Sequence, residues 1–86
     1  MTEETIFSRI INGEINCDEV YSDDLCIAFR DIQPQAPTHI LIIPRKRIPS
    51  LKEVKDTDSS LLGHLLLTST KIAKQEGLEN WRTVIN

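Results

Sequence analysis

The sequence predicts an α+β fold: a mostly antiparallel sheet packed against one short and one long helix. Three observations lead there. The apolar period changes along the chain, giving the order helix, strand, strand, strand, helix, strand. Two strands are joined by a short polar turn, the mark of an antiparallel hairpin. The chain has 86 residues, 40% hydrophobic and 27% charged, which is ordinary globular balance at the length of one small domain spanning 1–86.

Each element has a local reason. Thr5 is placed to cap a short helix in which Ile6, Phe7, Ile10 and Ile11 recur at helical spacing, and Gly13 closes it. Glu19-Val20-Tyr21 reads as a strand, Ser22-Asp23-Asp24 as a turn, and Leu25 to Phe29 as a second strand with apolar residues on both faces. Pro34 and Pro37 remove ladder donors, so Ile32 to Pro37 is a stiff loop. Thr38 to Ile43 is a third strand, nearly all apolar after His39, and Pro44 ends it. Such a run predicts a central strand covered on both faces. Ser50-Leu51-Lys52-Glu53 has capping-box spacing for one helical turn.

The long helix is predicted from Ser60 to Glu76. Leu61, Leu62, Leu65, Leu66, Ile72 and Ala73 form its apolar stripe, Ser69 lies in line, and Gly77 is the natural terminator. Gly63 costs a helix interior about 1 kcal/mol relative to Ala, which predicts close approach of another backbone there. His64 lies off the stripe and is expected at the surface or an interface. Trp81 to Asn86 alternates as a last strand would, leaving an open edge unless something covers it.

Composition excludes several classes of partner. Ten Lys+Arg against 13 Asp+Glu give a net charge of −3, so there is no basic excess to track a nucleic acid. Arg45-Lys46-Arg47 is accordingly read as a solvated loop. The longest apolar run, Ile40 to Ile43, is far short of the roughly 20 residues that span a bilayer, and no membrane partner is expected. Met1-Thr2-Glu3-Glu4 is acidic and leads into no signal-like apolar region, so a cytoplasmic protein is expected. Neither Cys17 nor Cys26 has another Cys or a His within four residues. Both are read as core or half-buried thiols, and no metal and no cofactor are expected. The two histidines, His39 and His64, are too few for a mechanism that needs several imidazoles.

The segment from Phe29-Arg30-Asp31 through Gln33-Pro34-Gln35-Ala36-Pro37-Thr38-His39 to Pro44 resembles the histidine triad nucleotide-binding (HIT) family, in its branch of small purine nucleoside phosphoramidases. Thr5 to Ile11 is similar to that branch's opening helix, Ser60 to Leu65 to the start of its long helix, and Thr83-Val84-Ile85-Asn86 to the strand before its signature motif. The resemblance implies a HIT-like fold. It implies an AMP-like purine nucleotide as ligand and a homodimer through the long helix and last strand. It also implies hydrolysis of adenylate–amine P–N bonds through a nucleotidyl-histidine intermediate.

Carried over residue by residue, Asp31 takes the position of the carboxylate that accepts both ribose hydroxyls, for which its two oxygens suit it. Phe7, Ile10, Phe29 and Ile32 match positions that wall the base pocket. Asn86 matches an amide near the phosphate, and His39 a histidine that supports the catalytic cluster from the neighbouring strand. The family's His-x-His-x-His run follows the position of Asn86, and neither it nor the preceding Gly/Ser phosphate-binding residues are in this sequence. Arg47 stands where relatives often carry His. The expectation is a domain without its catalytic C-terminal segment and last family strand, inactive by itself.

Two alternatives fit the same sequence. One is a noncatalytic nucleotide-binding or dimerising module; the other is the superfamily's dinucleoside polyphosphate hydrolases. The same residues also have plain structural roles. Asp31 can begin an Asx-turn into Gln33-Pro34, Phe29 and Ile32 can be core, and His39 can be a buried, hydrogen-bonded imidazole.

Overall fold

Asp23 decides where the first hairpin turns. Its Oδ1 accepts the amides of Leu25 at 2.8 Å and Cys26 at 2.9 Å, and its Oδ2 accepts the Tyr21 hydroxyl at 2.8 Å. One short carboxylate thereby satisfies three donors at a bend. Strands β1 (Glu19–Ser22) and β2 (Cys26–Arg30) run antiparallel on either side of it. The structure, a computed structural model, describes residues 6–14 and 16–85, with side chains from Arg9 onward. They fall into two compact units, Met1–Arg47 and Ile48–Asn86.

In the first unit, β3 (Ile40–Pro44) pairs antiparallel with β2, giving the order β1-β2-β3. The middle strand is therefore β2, buried from Cys26 to Phe29. This corrects the expectation for Ile40 to Ile43: β3 lies at an edge among the described strands, and all five of its residues are half-buried. A continuous apolar run reports that both faces seek cover; it does not count hydrogen-bonded neighbours.

The period of two sorts the strand residues. Ile27 pairs with Ile43 and Phe29 with Leu41, so these four share one sheet face. Ile10 of helix α1 (Ile6–Ile11) joins Ile27 and Phe29 in the core, with Ile11, Cys17, Leu41 and Ile43 packed against them. On the opposite face, the small Cys26 and Ala28 are fully buried. Helix α1 ends as expected at Gly13, whose φ of +77° suits a residue without a Cβ. The Gly13 amide donates to the Ile10 carbonyl and that of Glu14 to Arg9, the two bonds of a Schellman motif. The expected cap at Thr5 lies outside the described residues.

A bulge between Glu19 and Tyr21 shifts the β1–β2 register. Beyond it, the Arg30 amide donates to the Asp18 carbonyl at 2.9 Å, which holds residues 17 and 18 beside the end of β2. Arg45 is committed to the hairpin: its Nε donates to the Asp23 carbonyl at 2.7 Å and its guanidinium to Ser22 Oγ at 2.7 Å.

In the second unit, two 3-10 turns, Leu51–Glu53 and Asp56–Asp58, lead into helix α2 (Ser59–Gln75). The first turn forms where capping-box spacing predicts it, but the Ser50 side chain makes no capping bond. The reciprocal contact falls on the next turn, where the Lys55 amide donates to Asp58 Oδ2 at 3.0 Å and the Asp58 amide to the Lys55 carbonyl at 2.9 Å. Gly77, at φ +73°, closes α2 by a second Schellman motif, Gly77 to Lys74 and Leu78 to Ala73.

The stripe on α2 needs correction. Thr68 is fully buried with Ile72 and Ala73, while Leu66 and Leu67 are 52% and 65% exposed. Steps of four, three and four from Leu61 reach Leu65, Thr68 and Ile72, so helical phase outweighs apolarity residue by residue. Ser69 turns its hydroxyl back to the Leu66 carbonyl at 2.6 Å. A Cβ at Gly63 would meet nothing within 4 Å, so the predicted close approach is not found among the described residues. His64 is half-buried.

Residues 81–85 are not a strand, and all are exposed. Alternation selects the face a strand would bury, but a strand forms only with a ladder partner, and none pairs with this segment among the described residues. No helix among the described residues is long and apolar enough to cross a membrane.

Candidate functional site

The hairpin register brings three segments of the first unit together. Ile10 comes from α1, Asn16 and Cys17 from the connection into β1, and Phe29 to Ile32 from the end of β2 and beyond. With Leu41 of β3 they line a recess of about 110 Å³. Most ligand sites enclose roughly 300–1,000 Å³, so the recess suits a ring rather than a whole nucleotide.

Of the sequence-predicted residues, Ile10, Phe29, Asp31 and Ile32 all line this recess. Phe7 and Asn86 fall outside the residues whose side chains are described. Phe29 and Ile32, alike in sequence as core candidates, separate here. Phe29 is 5% exposed and belongs to the core, whereas Ile32 is 88% exposed. An isoleucine left this open has no packing role to explain it, but it borders a concave apolar surface.

Asp31 sits at the junction of β2 and the proline loop. Its Oδ1 accepts the Gln33 amide at 2.9 Å, the Asx-turn expected of an Asp in this setting. Its Oδ2 lies 3.6 Å from His39 Nδ1. His39 does not line the recess; its Nδ1 accepts the Gln35 amide at 2.9 Å, so the imidazole is hydrogen-bonded as expected, but it is half-buried rather than buried. The neighbouring Arg30 is turned to Asp18, with Nε 3.6 Å from Oδ2.

Sequence reasoning missed the recess positions of Asn16, Cys17, Arg30 and Leu41. Counting back evenly from the Asp23 turn would set Glu19 opposite Arg30; only the bulge brings Asp18 there, so the sequence carries no signal that places Cys17 at the recess. Burial pushes the Cys17 thiol above its ordinary range, and the Glu19 and Asp18 carboxylates add to the shift by disfavouring a thiolate. A raised pKa means a protonated thiol at neutral pH. Alkylation of Cys17 by iodoacetamide is therefore expected to be slow at pH 7 and to accelerate as pH rises, read by intact mass. Alkylation as fast as that of free cysteine would contradict this.

A carboxylate beside an apolar, ring-sized recess is a small feature, and comparison with known proteins gives it context. A family model described as scavenger mRNA decapping enzyme C-term binding matches residues 4–86. An uncharacterized HIT-like protein of Synechococcus elongatus is 60% identical over all of this chain and 76% of its own length. The chain belongs to the histidine triad (HIT) family. It is also 52% identical to the purine nucleoside phosphoramidase of Escherichia coli, over all of this chain and 74% of that protein.

Solved HIT structures agree. A HIT family hydrolase of Clostridium thermocellum matches with a TM-score of 0.93 at 32% identity, covering all of this chain and 76% of that one. A HIT family hydrolase of Legionella pneumophila matches with a TM-score of 0.86 at 47% identity, covering 90% of this chain and 69% of that one. The α+β fold is thus the HIT fold, with relatives that are hydrolases.

Proposed function

We propose that this HIT chain binds a purine nucleoside monophosphate, with Asp31 accepting the ribose hydroxyls and Ile10, Phe29 and Ile32 bordering the base. The observation that carries the reading is the Asp31 carboxylate beside a ring-sized apolar recess. Similarity to a purine nucleoside phosphoramidase supports the ligand class. Phe7 and Asn86 would complete the base wall and the phosphate contact.

The reaction we propose is hydrolysis of an adenylate–amine P–N bond through a nucleotidyl-histidine intermediate. A histidine would displace the amine from phosphorus, and water would then release the nucleotide. The 86 residues hold no His-x-His-x-His run, so the attacking imidazole is assigned to a position beyond residue 86, and His39 to a supporting role. The 86 residues alone would bind without turnover. Isothermal titration calorimetry with adenosine and adenylate tests the binding step. Footprinting tests its place: because Cys17 lines the recess, adenosine is expected to protect it from alkylation. Equal alkylation with and without saturating adenosine would move the ligand elsewhere.

We also propose a homodimer through α2 and residues 81–85. Leu66 and Leu67 on α2 and Trp81, Val84 and Ile85 are all at least 45% exposed, an apolar set that an isologous contact would cover. Sedimentation is expected to give twice the chain mass, and Leu67→Lys to shift it to monomer. A wild-type monomer at micromolar concentration would overturn the dimer.

A further inference from the structure

A neutral imidazole has one donor nitrogen and one acceptor nitrogen. Nδ1 of His39 accepts the main-chain amide of Gln35 at 2.9 Å. An amide N–H only donates, so Nδ1 carries the lone pair and the ring proton sits on Nε2. Asp31 Oδ2 stands 3.6 Å from the same Nδ1, beyond hydrogen-bond reach and with no proton between them. The other ties of this loop do not depend on His39's protonation: the Asp31 amide donates to the His39 carbonyl at 2.9 Å, and the Gln33 amide to Asp31 Oδ1 at 2.9 Å.

We propose that the Gln35 amide fixes His39 as the Nε2–H tautomer and thereby keeps Asp31 Oδ2 open to a ligand hydroxyl. His39 is then a positioning residue for the nucleoside site; this inference rests on the nucleoside reading above. An Nδ1–H would have to abandon Gln35 and would find Asp31 Oδ2 as the nearest carboxylate. A proton taken from solvent at Nδ1 does the same and adds a charge, so the imidazolium would occupy the oxygen that the hydroxyl needs. Among the described residues, Asp31 is the carboxylate next to His39, and the strand register places Arg30 nearby. Arg30 lies opposite Ile40 in the strand register and is paired with Asp18 at 3.6 Å.

Long-range 15N imidazole spectra of the wild-type protein test the tautomer directly. The expected result is a protonated Nε2 and an unprotonated Nδ1; an Nδ1–H tautomer overturns the inference. Adenosine, whose ribose diol carries no titrating phosphate, tests the consequence. Its affinity is expected to fall about ten-fold as His39's own resonances report protonation, the scale of losing a hydrogen bond to a charged group. His39→Asn offers a carbonyl near the Nδ1 position without titrating. It is expected to hold the high-pH affinity and flatten the pH profile. A wild-type affinity that ignores His39 titration, or an Asn variant with the same pH profile as wild type, overturns the positioning role. Adenosine that binds wild type at no pH sinks the nucleoside reading instead, and the spectrum then decides the tautomer alone.

Discussion

Asp31→Ala is expected to weaken adenosine binding about 10- to 100-fold, the range for removing an acceptor that is charged. The fold should persist. The variant loses the Asx-turn bond to Gln33 and the carboxylate beside His39, on an exposed loop tied separately by the Asp31 amide and the His39 carbonyl. Asp31→Asn keeps an oxygen for the Gln33 amide but removes the charge and one acceptor, so an intermediate loss is expected. Calorimetric titration of both variants checks this, with 2′,3′-dideoxyadenosine as control. That analogue lacks the diol and should bind wild type and Asp31→Ala alike. Unchanged adenosine affinity in Asp31→Ala would remove Asp31 from the site, and loss of the dideoxy analogue as well would indicate a collapsed recess.

Phe29→Ala is expected to have the largest effect on stability. Phe29 is 5% exposed, lies on the middle strand and packs with Ile10 and Ile27. Truncating a core Phe to Ala costs about 3–5 kcal/mol, against a total of about 5–15 kcal/mol for an ordinary small domain. For a domain of this size that lowers the melting midpoint by roughly 12 °C or more, read by circular dichroism. Phe29 also lines the recess, so a gentler change separates its two roles. Phe29→Leu keeps most of the volume and should fold. It loses the aromatic face, worth about 0.5–1.5 kcal/mol, and so should bind adenosine up to about ten-fold more weakly. A Phe29→Ala melt within a few degrees of wild type would show that the core cluster carries little of the stability.

The two helix terminations show how far local sequence reaches. Gly13 and Gly77 each follow a run of helical periodicity, and each takes a positive φ and closes a Schellman motif. These are contacts within six residues, so the residues that decide them are adjacent in the chain. The Asp23 turn is legible for the same reason. The stripe of α2 is less so. Leucine composition pointed to Leu66, whereas the buried position is Thr68, because burial depends on what lies opposite the helix rather than on its own side chains.

The site divides along the same line. The segment from Phe29 to Pro44 carried the family resemblance, and through it Ile10, Phe29, Asp31 and Ile32, all of which line the recess. Cys17 and Leu41 line it too, yet neither stands out in the sequence. They arrive through the bulged β1–β2 register and the β2–β3 pairing, which join residues far apart along the chain. The 81–85 segment failed as a strand for a related reason, since alternation can propose a strand but only a neighbour completes one.

The sequence by itself therefore determined the C-terminal ends of both helices, the hairpin turn, the family and the identity of the ribose carboxylate candidate. Each rests on short-range contacts or on an ordered set of motifs. The tertiary structure decided that, among the described strands, β2 rather than β3 is the buried middle one. It separated Phe29 from Ile32 and brought Cys17 and Leu41 to the recess. Those outcomes depend on pairings and hydrogen bonds made across the fold, and residue type constrains such contacts without specifying the partner.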